Sequence, residues 1–149
     1  VTGTSKGDRL VGVGGKLNNI GVDTLTGGAG ADTFVLAEGS NDSFNFTPYY
    51  DKAGDSDYVV IKDFIKNLDL TQTDTIEFGR GGQYRAEIST IPNKPGIAVY
   101  LDIPTGEVIS GSGVVVRVTR PDLVAIVQGF NSQGSILTPG DVIRETIIF

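Results

Sequence analysis

Hydrophobic and polar positions alternate in short stretches along this chain, and almost none repeat at helical spacing. Thr33-Phe34-Val35 carries one large apolar residue between smaller neighbours and reads as a short strand whose phenyl ring points inward. Asp57-Tyr58-Val59-Val60-Ile61-Lys62-Asp63-Phe64 alternates and is rich in β-branched residues, so it reads as a longer strand. Val59 and Ile61 share one face of it, with Asp57 and Asp63 at the two ends. After a loop at Ile91-Pro92-Asn93-Lys94-Pro95-Gly96, residues 97–103 form the next predicted strand. Pro104-Thr105-Gly106-Glu107 predicts a tight turn that returns the chain into Val108-Ile109-Ser110. Residues 114–118 and 123–127 are further apolar strands with little polar relief. No stretch longer than two turns has helical period. Strands of roughly five to seven residues set off by Gly, Pro and Asn predict a mainly-β protein with an antiparallel sandwich or meander.

The amino-terminal part follows another rule. Gly27-Gly28-Ala29-Gly30 puts three glycines in four positions, where the chain can turn at positive φ with no β-carbon in the way. Carbonyl oxygens of such a turn can point inward, and Asp32 adds a carboxylate at its end. Hard oxygen donors with formal negative charge suit Ca²⁺, which takes about 6–8 of them at roughly 2.3–2.6 Å. Residues 27–35 fit Gly-Gly-x-Gly-x-Asp-x-U-x, with U a large apolar residue, at every specified place. That nonapeptide is the repeat of calcium-binding parallel β-rolls.

Two neighbouring stretches support it. Gly3-Thr4-Ser5-Lys6-Gly7-Asp8-Arg9-Leu10 has Lys6 where the third glycine is expected, but keeps Asp8 and the inward Leu10. Asn18-Asn19-Ile20-Gly21-Val22-Asp23-Thr24-Leu25 has Asn in place of both leading glycines, and Asn tolerates left-handed backbone better than most residues.

On these residues the chain resembles the repeats-in-toxin (RTX) family of secreted bacterial proteins, in which successive half-turns of a parallel roll hold Ca²⁺ between coils. The resemblance implies ligands at the first, third and sixth places of each unit. These are Gly3, Ser5 and Asp8; Asn18, Ile20 and Asp23; and Gly27, Ala29 and Asp32. RTX carboxyl-terminal blocks follow the last repeat with an Asp-Phe pair whose Asp is a further ligand, and here that pair is Asp63-Phe64. Many members carry another Asp four residues earlier, where this chain has Val59; Asp57 lies two residues further back and is the substitute candidate. By their residues alone, Asp57 and Asp63 read equally as carboxylates capping the open end of the roll and as strand-flanking surface groups. Asp74-Thr75-Ile76-Glu77-Phe78 is similar to the next strand of such a block, and residues 122–130 to the closing strand of a cyanobacterial subtype.

A roll with two nonapeptides per coil places turns on one side about 18 residues apart. Asp8 to Asp23 is 15, and position 50 holds Tyr50 rather than Asp, so the expected roll is rudimentary. It would hold roughly one to three calcium ions. The expected division is a short parallel β-roll over residues 1–46, capped by an antiparallel β region over 47–149, the two forming one compact unit.

Charge agrees with this division. The net charge is −6, and all of the excess lies in residues 1–79, which hold 12 acids, ten of them Asp, against 6 bases; residues 80–149 hold 6 of each. Asp is short and suits turns and calcium sites, and ordinary acidic loops would also account for part of the excess. Nucleic acid, which needs clustered Lys and Arg, is not an expected partner. With no Cys and no His, disulfides, thiolate metal sites and Ser-His-Asp or Cys-His centres are excluded within these residues. No apolar run approaches the roughly 18–20 residues of a membrane helix. Beginning at Val1 with no signal peptide, the sequence reads as a piece of a longer protein or a trimmed product.

The function expected is therefore a calcium-binding RTX-type carboxyl-terminal module of a secreted bacterial protein. It would fold on extracellular calcium and stabilise its parent. The final residues, Arg144-Glu145-Thr146-Ile147-Ile148-Phe149, place an acid before a short apolar tail, which reads either as a closing strand or as a type I secretion signal. Two rival readings remain. One is a calcium-stiffened adhesin that binds glycan or protein through Tyr49, Tyr50, Tyr58, Tyr84 and Tyr100. The other is glycoside hydrolysis by paired carboxylates, but strand ends and turns of this kind carry acids anyway, so no enzyme is expected within the chain.

Overall fold

The computed structural model describes residues 1–12, 20–39, 46–51, 54–67, 69–79 and 82–143. Asn18 and the tail from Arg144 onward lie outside them. The chain is mainly β. In order it forms β1 (Arg9–Val11), β2 (Val22–Thr26), β3 (Thr33–Val35), β4 (Ala37–Gly39), β5 (Phe46–Pro48), β6 (Tyr58–Lys66), β7 (Thr75–Glu77), β8 (Tyr84–Ile88), β9 (Ile97–Gly111) and β10 (Val114–Asn131). A short helix, α1 (Pro139–Ile143), follows. The predicted strands at residues 33–35, 57–64 and 74–78 correspond to β3, β6 and β7.

The chain alternates between two sheets. β1, β3 and β7 form a three-stranded sheet in that order, and both of its ladders are parallel. β2, β6, β10, β9 and β8 form a five-stranded sheet, parallel from β2 through β10 and antiparallel from there to β8. A small antiparallel pair, β4 and β5, stands apart. β2 pairs with β6 and β3 with β7, so the ladders join residues on both sides of position 46.

Register explains the core. Leu10, Phe34 and Ile76 lie directly opposite one another across the small sheet, and Leu25 and Ile61 do so across the large one. All five are buried in one cluster between the sheets, together with Val59, Phe64, Val99 and Val127. This is where a period-two pattern must put them, because alternate residues of a strand point to one face. The outer face of the large sheet buries a second, smaller cluster of Tyr58, Val60, Ala98, Leu123 and Ile126. β6 is thus apolar on both faces, which is why its sequence reads as a nearly continuous run.

Three expectations are corrected. Successive parallel partners lie further apart than a pair of nonapeptides: Arg9 pairs with Thr33, and Thr33 with Thr75. The stretch between β3 and β7 holds the β4–β5 pair as well as β6. The tight turn at Pro104 is absent, and β9 runs unbroken to Gly111. Pro104 lies beyond the last β8 partner, Leu101, on an open edge where a missing N–H does no harm. A register shift between Arg117 and Thr119 absorbs the irregularity. The real turn is at Ser112 and Gly113, both at positive φ, the geometry of a two-residue hairpin. Finally, β8, β9 and β10 form a meander that continues the parallel ladder edge to edge, rather than a separate sheet stacked on it, and residues 114–131 are one strand rather than two.

Candidate metal centre

Two glycine turns stack at one end of the small sheet. Residues 3–8 lead into β1 and residues 27–32 into β3, and the parallel pairing of those strands lays one turn on the other. Ala29 N–H donates to the Thr4 carbonyl at 3.1 Å, and Thr33 N–H to the Asp8 carbonyl at 2.7 Å. Glycine is required by this close approach. A β-carbon on Gly3 would overlap the Gly27 carbonyl and sit 2.9 Å from Asp8 Oδ2. On Gly27 it would overlap Asp32 Oδ2, and on Gly28, at φ +99°, the Thr4 carbonyl.

The carboxylates are fixed one by one. Asp8 Oδ2 accepts from Thr4 N–H at 2.6 Å and from its hydroxyl at 2.8 Å, and these bonds hold the Asp8 carboxyl below its ordinary pKa. Asp32 Oδ1 accepts from Asp8 N–H at 2.8 Å. Asp32 Oδ2, in a residue only 1% exposed, accepts no hydrogen bond among the described residues. Burial raises the Asp32 pKa, and the negative charges of Asp8 and Asp63 add to the rise. Asp63 Oδ1 and Oδ2 accept from Gly27 N–H at 2.8 Å and Gly28 N–H at 3.0 Å. Asp63 achieves this from a left-handed backbone, φ +56°, near where the β6–β10 register shifts between Val127 and Gly129.

Asp74 is the residue that sequence reasoning missed as part of the site. It is buried, and its two oxygens accept from Asp32 N–H and from Ile65 N–H, each at 2.8 Å. Burial pushes its carboxyl up to about 6, with the charges of Asp32 and Asp63 adding to the rise. A signal for it exists. Asp8-Arg9-Leu10, Asp32-Thr33-Phe34 and Asp74-Thr75-Ile76 repeat one Asp-x-apolar pattern, and each later Asp accepts the amide N–H of the one before. Asp74 lacks the preceding glycines that make the pattern conspicuous.

Asp8 and Asp63 therefore lie near enough to Asp32 for their charges to act on it, where Gly3 meets Gly27. Asp23 and Asp57 are placed elsewhere. Asp23 lies within β2 and its Oδ2 accepts from the Tyr50 hydroxyl at 2.9 Å; Asp57 is buried and its Oδ1 accepts from Gly21 N–H at 3.2 Å. Burial, with both of these acids nearby, drives the Tyr50 pKa upward. Ser5, Ala29 and Ile20 are exposed. None of the five tyrosines offers an exposed platform: Tyr49, Tyr50 and Tyr58 are buried, and Tyr84 and Tyr100 half-buried.

Chemically, an unpartnered buried carboxylate oxygen is costly unless something positive faces it. Asp8 Oδ2 and the Gly27 carbonyl, both next to Gly3, are hard donors of the kind Ca²⁺ takes. Among the described residues no three acidic side chains are grouped so that they could hold a metal. No described helix is long and apolar enough to cross a membrane. No family model, curated protein or solved structure matches the chain.

Proposed function

We propose that the chain is a calcium-binding module of RTX type, a short parallel β-roll closed by an antiparallel meander. It would serve as the carboxyl-terminal region of a secreted bacterial protein and reach its stable form on extracellular calcium. The observation that carries this reading is Asp32 Oδ2, buried and without a hydrogen bond where two glycine turns stack. The alternation of β1, β2, β3, β6 and β7 between two parallel ladders supports the roll. Asp8, Asp32 and the Gly27 carbonyl would hold the ion, which would supply the positive charge that their crowding lacks. Linkage then stabilises the folded form by about 2.7 kcal/mol for one site at a hundredfold excess over Kd. That is a large share of the roughly 5–15 kcal/mol typical of a domain.

Isothermal titration of the whole chain with CaCl₂, beside Asp32→Asn, tests the reading. Saturable binding that Asp32→Asn abolishes is expected; a silent titration of the unsubstituted chain would refute it. Attachment to a glycan or protein has one feature in its favour, a groove of about 580 Å³ lined by Pro48, Asp51, Gln83, Asp102, Arg117 and Thr119. A glycan array probed with the whole chain decides that reading.

A further inference from the structure

The two stacked turns are not held alike. In the 27–32 turn, the N–H groups of Gly27 and Gly28 go to Asp63 and that of Asp32 goes to Asp74. Both acids belong to the β6–β7 part of the body, and Asp74 also takes Ile65 N–H while its own N–H donates to the Ile65 carbonyl at 2.9 Å. Asp32 and Gly27 are buried. In the 3–8 turn the pattern is reversed. Thr4 N–H goes to Asp8, Lys6 N–H to the Thr4 hydroxyl, and Asp8 N–H to Asp32. Thr4, Ser5, Lys6 and Gly7 are exposed, and the bonds of this turn run within itself or to residues 26–33, never to β6 or β7 among the described residues. Docking it also brings Asp8 beside the charges of Asp32 and Asp63.

Resting on the calcium reading above, we propose that the site is built in two halves. The 27–32 half stands without the ion, fixed by Asp63 and Asp74 as positioning residues. The cation acts on the 3–8 half, which docks only when the repulsion between Asp8, Asp32 and Asp63 is neutralised. The left-handed conformation of Asp63 fits this role. A non-glycine residue is uncommon in that region and persists where its surroundings demand it. Calcium is then a clasp for the amino-terminal strand rather than the organiser of the whole chain.

Hydrogen exchange by mass spectrometry on the whole chain, in EDTA and in CaCl₂, tests this. The expected result is protection of residues 25–35 in both conditions and protection of residues 1–12 at least about tenfold greater with calcium. Simultaneous loss of both segments on chelation would overturn the proposal, as would protection of residues 1–12 that ignores calcium while titration shows binding. A silent titration, by contrast, sinks the calcium reading itself. Asp74→Asn keeps one acceptor but cannot take both N–H groups. It should expose residues 27–34 in EDTA and weaken calcium binding about 10–100-fold while protection of β10 is kept. Unchanged protection and affinity would show that Asp74 positions nothing. If β10 also loses protection, Asp63→Asn, which tolerates the left-handed backbone, must give the same result for the proposal to stand.

Discussion

Gly28→Ala strikes the stacked turns where they touch. Gly28 sits at φ +99°, and a β-carbon there would lie less than 3.0 Å from the Thr4 carbonyl oxygen and 3.3 Å from its carbon. Left-handed backbone costs an alanine about 1–2 kcal/mol, and the stiffer unfolded chain adds only about 0.4–1 kcal/mol of opposing stabilisation, or none where φ is incompatible. If the 3–8 turn stays docked, overpacking adds about 1–3 kcal/mol. If it lifts away, the Ala29–Thr4 hydrogen bond is lost, about 1 kcal/mol, together with the stacking of the oxygens. Either route destabilises the chain by about 2–4 kcal/mol, or roughly 4–16 °C in Tm for this length. Calcium affinity should also fall well beyond tenfold, because the turns can no longer close on one ion. Thermal unfolding in CaCl₂, where the 3–8 turn is docked, and calorimetric titration with CaCl₂ measure the two effects. Gly21→Ala, where an added β-carbon meets nothing within 4 Å, is the control and should change neither. Gly28→Ala binding calcium as tightly as the unsubstituted chain would refute the stacked-turn site.

Further outcomes follow from other positions. The Asp74 carboxyl is raised from 3.8 to about 6, so the folded chain holds that proton more tightly than the unfolded one. Its stabilising share is complete below the unfolded value and is lost as pH rises through the folded one. In EDTA the unfolding free energy should therefore rise by about 1 kcal/mol from this group between pH 7 and pH 5. Urea melts at both pH values should show that rise and its loss in Asp74→Asn; equal slopes in both proteins would refute the assignment. Phe34→Ala, which empties the buried position between Leu10 and Ile76, should cost about 3–5 kcal/mol in urea unfolding, and less than 1 would deny it a core role. At the β9–β10 turn, Gly113→Ala at φ +78° should cost about 1 kcal/mol. A neutral Gly113→Ala melt would argue against the hairpin.

How much was legible depends on the distance between the residues involved. Asp8, Asp32 and their glycines stood out because a turn at positive φ and the acid at its end are local needs, written within a few residues. β3, β6 and β7 were readable for the same reason, since alternation marks which face of a strand is buried. Asp74 was not, because its partners are the amides of Asp32 and Ile65, and no local rule ties a carboxylate to an N–H so far along the chain. Pro104 and Gly106 were misread as a turn because both residue types punctuate chains. Only the end of β8 shows that an open edge accepts them.

By itself the sequence determined the class of structure, the inward residues of the strands near each turn, and the oxygen-rich character of the amino-terminal end. Tertiary structure decided which turns stack, since the register of β1 on β3 and of β3 on β7 depends on what the intervening chain packs against. It also separated Asp23 and Asp57 from Asp8 and Asp32, because alternate strands enter different sheets. A chain records its short-range torsional needs residue by residue. Which carboxylates meet is set only when long loops close and the two sheets bury a common core.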